Sequence, residues 1–307
     1  MRCEKISENL YFFQRGWLNA NHFAYVDERV ILIDTGYITH FPDTERLLNS
    51  MGVEIQRVGK VISTHSHCDH IGGNTSIQEA SGCSIGMHPI DKHFIDQQDD
   101  WATWWRYYHQ EGKFFRVDEV LEDGDELSLG EMAFRVFHVP GHAAGMIALY
   151  APDAGILISS DAIWDGDLGV LNTRVEGSIA PFLARESLLR LSRLKIDTIY
   201  PGHGPRIDNP SQALQKCLQK LSRLIADRKA LGKDEIKKIL IYTLLMRKEI
   251  PKDDLFPLLM ETYWFPGTVE MYLQGDYRGV FIGIVEELIA RGIITLEEGM
   301  YRTTVKP

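Results

Sequence analysis

The segment Thr64-His65-Ser66-His67-Cys68-Asp69-His70 constrains this chain more than any other part of it. It follows directly on Val61-Ile62-Ser63, a short apolar run that reads as a buried strand. Three imidazoles and one carboxylate fall within the six residues from His65 to His70. Without a metal ion such crowding gains nothing in packing and invites charge repulsion. Imidazole together with carboxylate suits zinc, iron or manganese. In a loop after a strand, His65 and His67 present themselves to one ion. Asp69 and His70 then face a second ion beside it.

The same pattern recurs further along. Ala133 to Val139 is a strand-like run that leads into Pro140-Gly141-His142. Ile156 to Ser160 leads into Asp161, and Thr198-Ile199-Tyr200 leads into Pro201-Gly202-His203-Gly204. Residues just beyond strand ends in a layered α/β domain converge on one rim of the sheet. His65, His67, Asp69, His70, His142, Asp161 and His203 are therefore candidate ligands. One tetrahedral ion needs only three protein groups and a water, so this set suits two divalent ions, zinc first, with iron and manganese also fitting.

The rest of the pattern bounds the setting. A chain of 307 residues, 44% hydrophobic, buries a full-sized core. The formal charge of -10 excludes a generic basic surface and argues against nucleic acid as a partner. The four cysteines show no CxxC spacing, the N-terminus lacks a secretory pattern, and no long apolar run suggests a membrane span. A cytoplasmic setting with a small-molecule substrate is the expectation, and a homodimer is left open.

Asn21 to Val26 and Val30 to Asp34 read as a hairpin. Residues 42–51 read as a helix, as do the segments 185–195 and 211–229. After Gly232 the texture changes. Helices near 234–247, 252–263 and 278–291 precede a hairpin with Glu298-Gly299 in its turn. This predicts two domains, 1–230 and 231–307, the second winged-helix-like. Within the first lies an aromatic stretch in which Trp101, Trp104, Trp105 and Tyr108 share one face if the segment is helical. That face packs on the core or on a second subunit, or it covers an apolar substrate. Trp104, Trp105 and Tyr108 are accordingly candidate substrate contacts. Tyr272 is another, from the C-terminal segment.

The signature loop, with Pro140-Gly141-His142, Ser160-Asp161 and Pro201-Gly202-His203-Gly204 in that order, resembles the metallo-β-lactamase superfamily over about residues 5–228. The resemblance implies an αββα four-layer sandwich, with the site along one edge of the paired sheets. It assigns His65, His67 and His142 to the first ion and Asp69, His70 and His203 to the second. Asp161 bridges them, and Asp34 supports the site from behind the ligands. His142-Ala143-Ala144-Gly145 departs from the family's usual His-Thr-Pro-Gly or His-Ser-x-Gly, so a hydroxyl is missing there. His67 stands where flavodiiron members carry Glu, which counts against that role.

The reaction this implies is metal-assisted hydrolysis of a small ester, thioester or lactone. A hydroxide shared by the two ions attacks, and Asp69 relays a proton to the leaving group. Relatives with an added C-terminal domain include RNA-cleaving enzymes, so a phosphodiesterase or ribonuclease is the alternative. Residues 232–307 carry a net charge of -2, which disfavours a phosphate backbone. A mono-iron persulfide dioxygenase, using the positions of His65, His142 and Asp161, is a further alternative. A non-catalytic binding protein is the last.

Overall fold

The computed structural model describes residues 2–307. Two sheets form the centre among the described residues. The first runs in chain order through β1 (Arg2–Lys5), β2 (Leu10–Gln14), β3 (His22–Val26), β4 (Val30–Ile33), β5 (Val58–Ile62), β6 (Ser84–Met87) and β7 (Glu119–Val120). It is antiparallel as far as β4 and parallel from there on. The second contains β8 (Glu126–Leu129), β9 (Met132–His138), β10 (Ile147–Ala151), β11 (Ile156–Ser160) and β12 (Thr198–Pro201). Only its β11–β12 pair is parallel.

Strand β10 shows why the layers form. All five of its residues are buried, as expected for a strand covered on both faces. Ile147, Leu149 and Ala151 pack with Phe12, Phe23 and Ile62 of the facing sheet. Ala148 and Tyr150 point the other way, into a cluster that includes Leu188 and Leu221. Those two leucines lie on α5 (Ala180–Leu191) and α6 (Pro210–Ala226), which cover the outer face of the second sheet. The first sheet is covered by α1 (Phe41–Ser50) and α3 (Asn74–Ser81), through Leu48 and Ile77 packed on Leu32 and Val61. The result is the expected αββα sandwich. Short helices α2 (Cys68–Ile71) and α4 (Pro89–Asp96) sit at its edge.

The C-terminal region differs from expectation in detail. Helix α7 spans Arg228–Arg247, six residues longer at its start than the sequence suggested. Asp227 caps it by accepting from the Lys229 and Ala230 amides. Gly232 lies inside the helix and is not a break. A Cβ there would come within 2.7 Å of the Tyr272 Cβ, so its role is close approach between helices. Helix α8 (Lys252–Met260) is followed by α9 (Trp264–Leu273), which the sequence reading missed. Pro266 is tolerated there, because a proline in the first helical turn removes an amide that has no partner anyway. Helix α10 (Tyr277–Ala290) precedes the hairpin β14 (Ile294–Glu297) and β15 (Met300–Thr303), against which the short β13 (Ile250–Pro251) pairs. Glu298 and Gly299 form the predicted turn, both with positive φ. The boundary expected at 230/231 falls in the first turn of α7, and one apolar cluster runs from the second sheet into α7, α9 and α10.

The aromatic segment is not helical. Residues 101–109 form a chain of turns, with Trp104 at φ 71° and His109 at φ 53°. Left-handed backbone at a tryptophan is disfavoured, and indole and phenol contacts hold it. Trp104 Nε1 donates to Glu176 at 2.6 Å, Trp105 Nε1 to the Ser66 carbonyl at 3.2 Å, and Tyr108 to Glu235 at 3.0 Å. The helical face expected for these rings is therefore replaced by three separate directions.

Glu235 is 3% exposed, and burial pushes its pKa from 4.5 up to about 7. Below pH 4.5 the group is protonated whether the chain is folded or not. Between 4.5 and about 7 the unfolded chain ionises while the folded one keeps its proton, so stability falls as pH rises through that window. The expected cost is about 3 kcal/mol at pH 7 and above, at ~1.4 kcal/mol per pH interval. Glu235→Gln keeps an acceptor for Tyr108 and should melt higher than the parent at pH 8, with no gap at pH 4. Thermal unfolding across that range checks it, and a gap independent of pH refutes it.

Candidate metal centre

All seven ligand candidates lie just beyond strand ends on one edge of the sandwich. His65 and His67 follow β5, Asp69 and His70 lie in α2, and His142 follows β9. Asp161 follows β11, and His203 follows β12. Each is buried, with His67 and His142 5% exposed and Asp69 8%. Gly202 lets β12 approach closely, since a Cβ there would stand 2.1 Å from Asp161 Oδ1.

The donor atoms face one another. His67 Nδ1 lies 3.0 Å from His65 Nε2 and 2.9 Å from His142 Nε2. His203 Nε2 lies 3.0 Å from Asp69 Oδ2, and His70 Nε2 lies 3.9 Å from the same oxygen. Asp161 stands between the two groups. Its Oδ1 is 3.5 Å from His70 Nε2, and its Oδ2 is 3.4 Å from His142 Nε2 and 3.8 Å from His203 Nε2. Three triads have all their donor atoms within 4.8 Å: His65–His67–His142, His65–His70–Asp161 and Asp69–His70–His203.

The residues present fit divalent ions. Three imidazole nitrogens aimed at one point cannot all be satisfied by hydrogen bonds among themselves, and His70 Nε2 is buried with no hydrogen-bond partner. A cation satisfies all of them. At His65, His70 and His142 the other ring nitrogen is already held, as ligating histidines require. His142 Nδ1 contacts the Val170 carbonyl at 2.7 Å, and His70 Nδ1 contacts Asp34 Oδ2 at 2.8 Å. Asp34 also accepts from the Thr64 amide and hydroxyl, both at 2.8 Å.

At His65, His67 and His142 the electrostatics agree. Burial, reinforced by neighbouring imidazoles, pushes His65 and His67 well below the usual histidine range; burial also lowers His142, although Asp161 opposes it. Neutral imidazole is the ligating form. Burial works against a charged His70, but Asp34, Asp161 and Asp69 outweigh it and raise that group. Burial likewise opposes ionisation of Asp161, yet His203 and His70 hold it below the carboxylate range.

A cavity of about 310 Å³ opens over these donors. Trp104 reaches it, its ring 3.8 Å from that of His67. Trp105, Tyr108 and Tyr272 do not line it, and the Tyr272 hydroxyl bonds Thr173 instead. The sequence reading missed two other indoles. Trp17 stacks parallel to His203 at 5.7 Å, and Trp164 Nε1 donates to Asp161 Oδ1 at 3.2 Å. It also missed Lys238, Ile241, Tyr242 and Leu245, which α7 contributes to the wall. No motif marks these residues. In sequence they read as an ordinary helix.

A family model described as the metallo-beta-lactamase superfamily matches residues 15–203. A hydroxyacylglutathione hydrolase of Methylococcus capsulatus is 30% identical over 152 residues, covering 50% of this chain and 50% of that protein. The chain thus spans about half the length of this relative. The human acyl-coenzyme A thioesterase MBLAC2 is 25% identical over 237 residues, 65% of this chain and 80% of that one. The crystal structure of the metallo-beta-lactamase family protein TTHA1429 from Thermus thermophilus superposes with a TM-score of 0.61 at 18% identity, covering 97% of this chain and all of that one. At that identity it is a likeness of fold.

Proposed function

We propose that this chain, a member of the metallo-beta-lactamase superfamily, is a metallo-hydrolase that cleaves a small thioester, ester or lactone at a two-ion centre. His65, His67 and His142 would hold one ion and Asp69, His70 and His203 the other, with Asp161 facing both groups. The ligand set is nitrogen and oxygen only, which suits zinc first and accommodates iron or manganese. Ions bound there would make hydroxide available at neutral pH and would polarise a carbonyl.

The chain's own residues do the rest. Asp34 and the Val170 carbonyl fix the tautomers of His70 and His142. Trp164 orients Asp161, and Trp104 and Trp17 exclude water from the sides of the donor cluster. Asp69 lines the cavity and is placed to pass a proton to the leaving group.

The observation that carries this reading is the convergence of the seven donors at the floor of a cavity with apolar walls. Phosphodiester cleavage is less well supported, because Lys238 in that wall is already paired with Asp167 and Asp234 at 3.0 and 2.9 Å. The relatives named hydroxyacylglutathione hydrolase and acyl-coenzyme A thioesterase favour a thioester.

The test joins metal analysis with a substrate panel. Protein purified without added metal should carry about two equivalents per chain. It should hydrolyse thioesters ahead of phosphodiesters, lose activity to a chelator and recover it with the metal. Activity confined to phosphodiesters overturns the reading. So does one iron per chain with oxygen consumed on adding persulfide.

A further inference from the structure

Helix α7 shares one face between core and cavity: Ile241, Tyr242 and Leu245 pack with Leu18 and Tyr37 and also border open space. Lys238, Ile241, Tyr242 and Leu245 recur at i, i+3, i+4 and i+7, and all four border the cavity over the metal ligands. Ile293, just before β14, and Val305, just after β15, extend the same wall. A wall of this kind next to water is unfavourable unless something apolar fills it.

The charged groups in the wall point the same way. Lys238 is committed to Asp167, Asp234 and the Leu168 carbonyl. Arg291 lies 3.7 Å from Glu287 at the exposed end of α10. No unpaired cation stands on the α7 face to receive a phosphate or a second carboxylate.

We propose that the C-terminal third of this chain forms the seat for an unbranched, apolar acyl chain, so that the substrate is a medium-chain acyl thioester. This rests on the thioester-hydrolase reading above. The carbonyl lies against the donor cluster, and the chain runs along Ile241 and Leu245 towards Ile293 and Val305. Water's oxygen forms the new C–O bond, the C–S bond breaks, and the thiol leaves with a proton while the fatty acid stays in the seat. The cavity's 310 Å³ holds roughly ten non-hydrogen atoms at ~30 Å³ each, which sets the optimum at about eight carbons.

The experiment uses the full chain and acyl thioesters of N-acetylcysteamine, from acetyl to dodecanoyl. In the metal-loaded enzyme kcat/KM should rise about fourfold for each methylene buried, up to about octanoyl, and not beyond. Ile241→Trp fills the seat and should lower the octanoyl-to-butyryl ratio of kcat/KM at least tenfold. Ile293→Trp, on another element, does the same should the first variant fail to fold. Octanoate added to metal-free protein should change the fluorescence of Trp17 and Trp104, and Ile241→Trp should weaken that binding.

Equal kcat/KM at all chain lengths overturns the seat and leaves the hydrolase reading standing. Octanoate that does not bind overturns it as well. Octanoate binding that Ile241→Trp weakens, with no thioester cleaved by the loaded enzyme, upholds the apolar seat and rejects the hydrolase reading on which the thioester assignment depends.

Discussion

Asp161→Ala should lose metal and activity together. Its carboxylate is the one group that faces both donor clusters, with His142 and His203 on one oxygen and His70 on the other. Loss of a group that merely supports a ligand costs 10- to 100-fold in metal affinity or activity, so loss of this one should exceed about 100-fold. Bound metal should fall from about two equivalents to one or fewer. The variant also leaves Trp164 Nε1 without its acceptor, at ~1–3 kcal/mol for a buried donor. Elemental analysis and thioester turnover measure the first effect, and melting in the presence of a chelator measures the second. A variant with full metal content and full turnover removes Asp161 from the site. A variant unfolded even under mild conditions is replaced by Asp161→Asn, which keeps an acceptor for Trp164 but lacks the charge.

The parts of this centre that were legible in the sequence are those whose chemistry is dense. His65 to His70 cannot be explained as core, and apolar runs before His142, Asp161 and His203 placed those residues on the same rim. The sandwich was legible through the resemblance those motifs carry. Apolar runs such as Ile156 to Ser160 and the leucine spacing of α5 marked single elements of its layers. The wall of the cavity was not legible. Ile241 and Leu245 have the spacing of any core-facing helix, and only the packing of α7 shows that this stripe borders a cavity as well as core. The aromatic segment failed as a helix because periodicity says nothing about φ. Trp104 adopts a left-handed backbone held by contacts to Glu176, a residue 72 positions away. Local punctuation misled at Gly232. That glycine answers to the Tyr272 side chain of another helix.

The second large effect is expected behind the ligands, at Asp34. This residue is 2% exposed and sits in left-handed backbone at φ 57°, directly after β4. One oxygen accepts the Thr64 amide, and the other faces both the Thr64 hydroxyl and His70 Nδ1, all at 2.8 Å. The pairing makes His70 carry its proton on Nδ1, which frees Nε2 for a metal ion. Asp34→Asn preserves size and backbone preference but turns one acceptor into a donor. If the amide oxygen faces Thr64 N, the amide NH₂ opposes the proton on His70 Nδ1. The ring must then take the other tautomer, with its proton on Nε2 facing Asp161 and Asp69 where the ion belongs. The expected outcome is a 10- to 100-fold loss of affinity at the Asp69–His70–His203 group. The first group, His65–His67–His142, should keep its ion, because none of its nitrogens touches Asp34. Titration of the metal-free variant against a chromophoric chelator separates the two sites. One tight and one weakened site places Asp34 as the residue that sets the His70 tautomer. Equal weakening of both sites points to a general loosening of the edge instead, and melting of the metal-free protein would then fall by the ~1–3 kcal/mol expected for each orphaned buried partner. Two unaltered sites remove Asp34 from any role in metal binding.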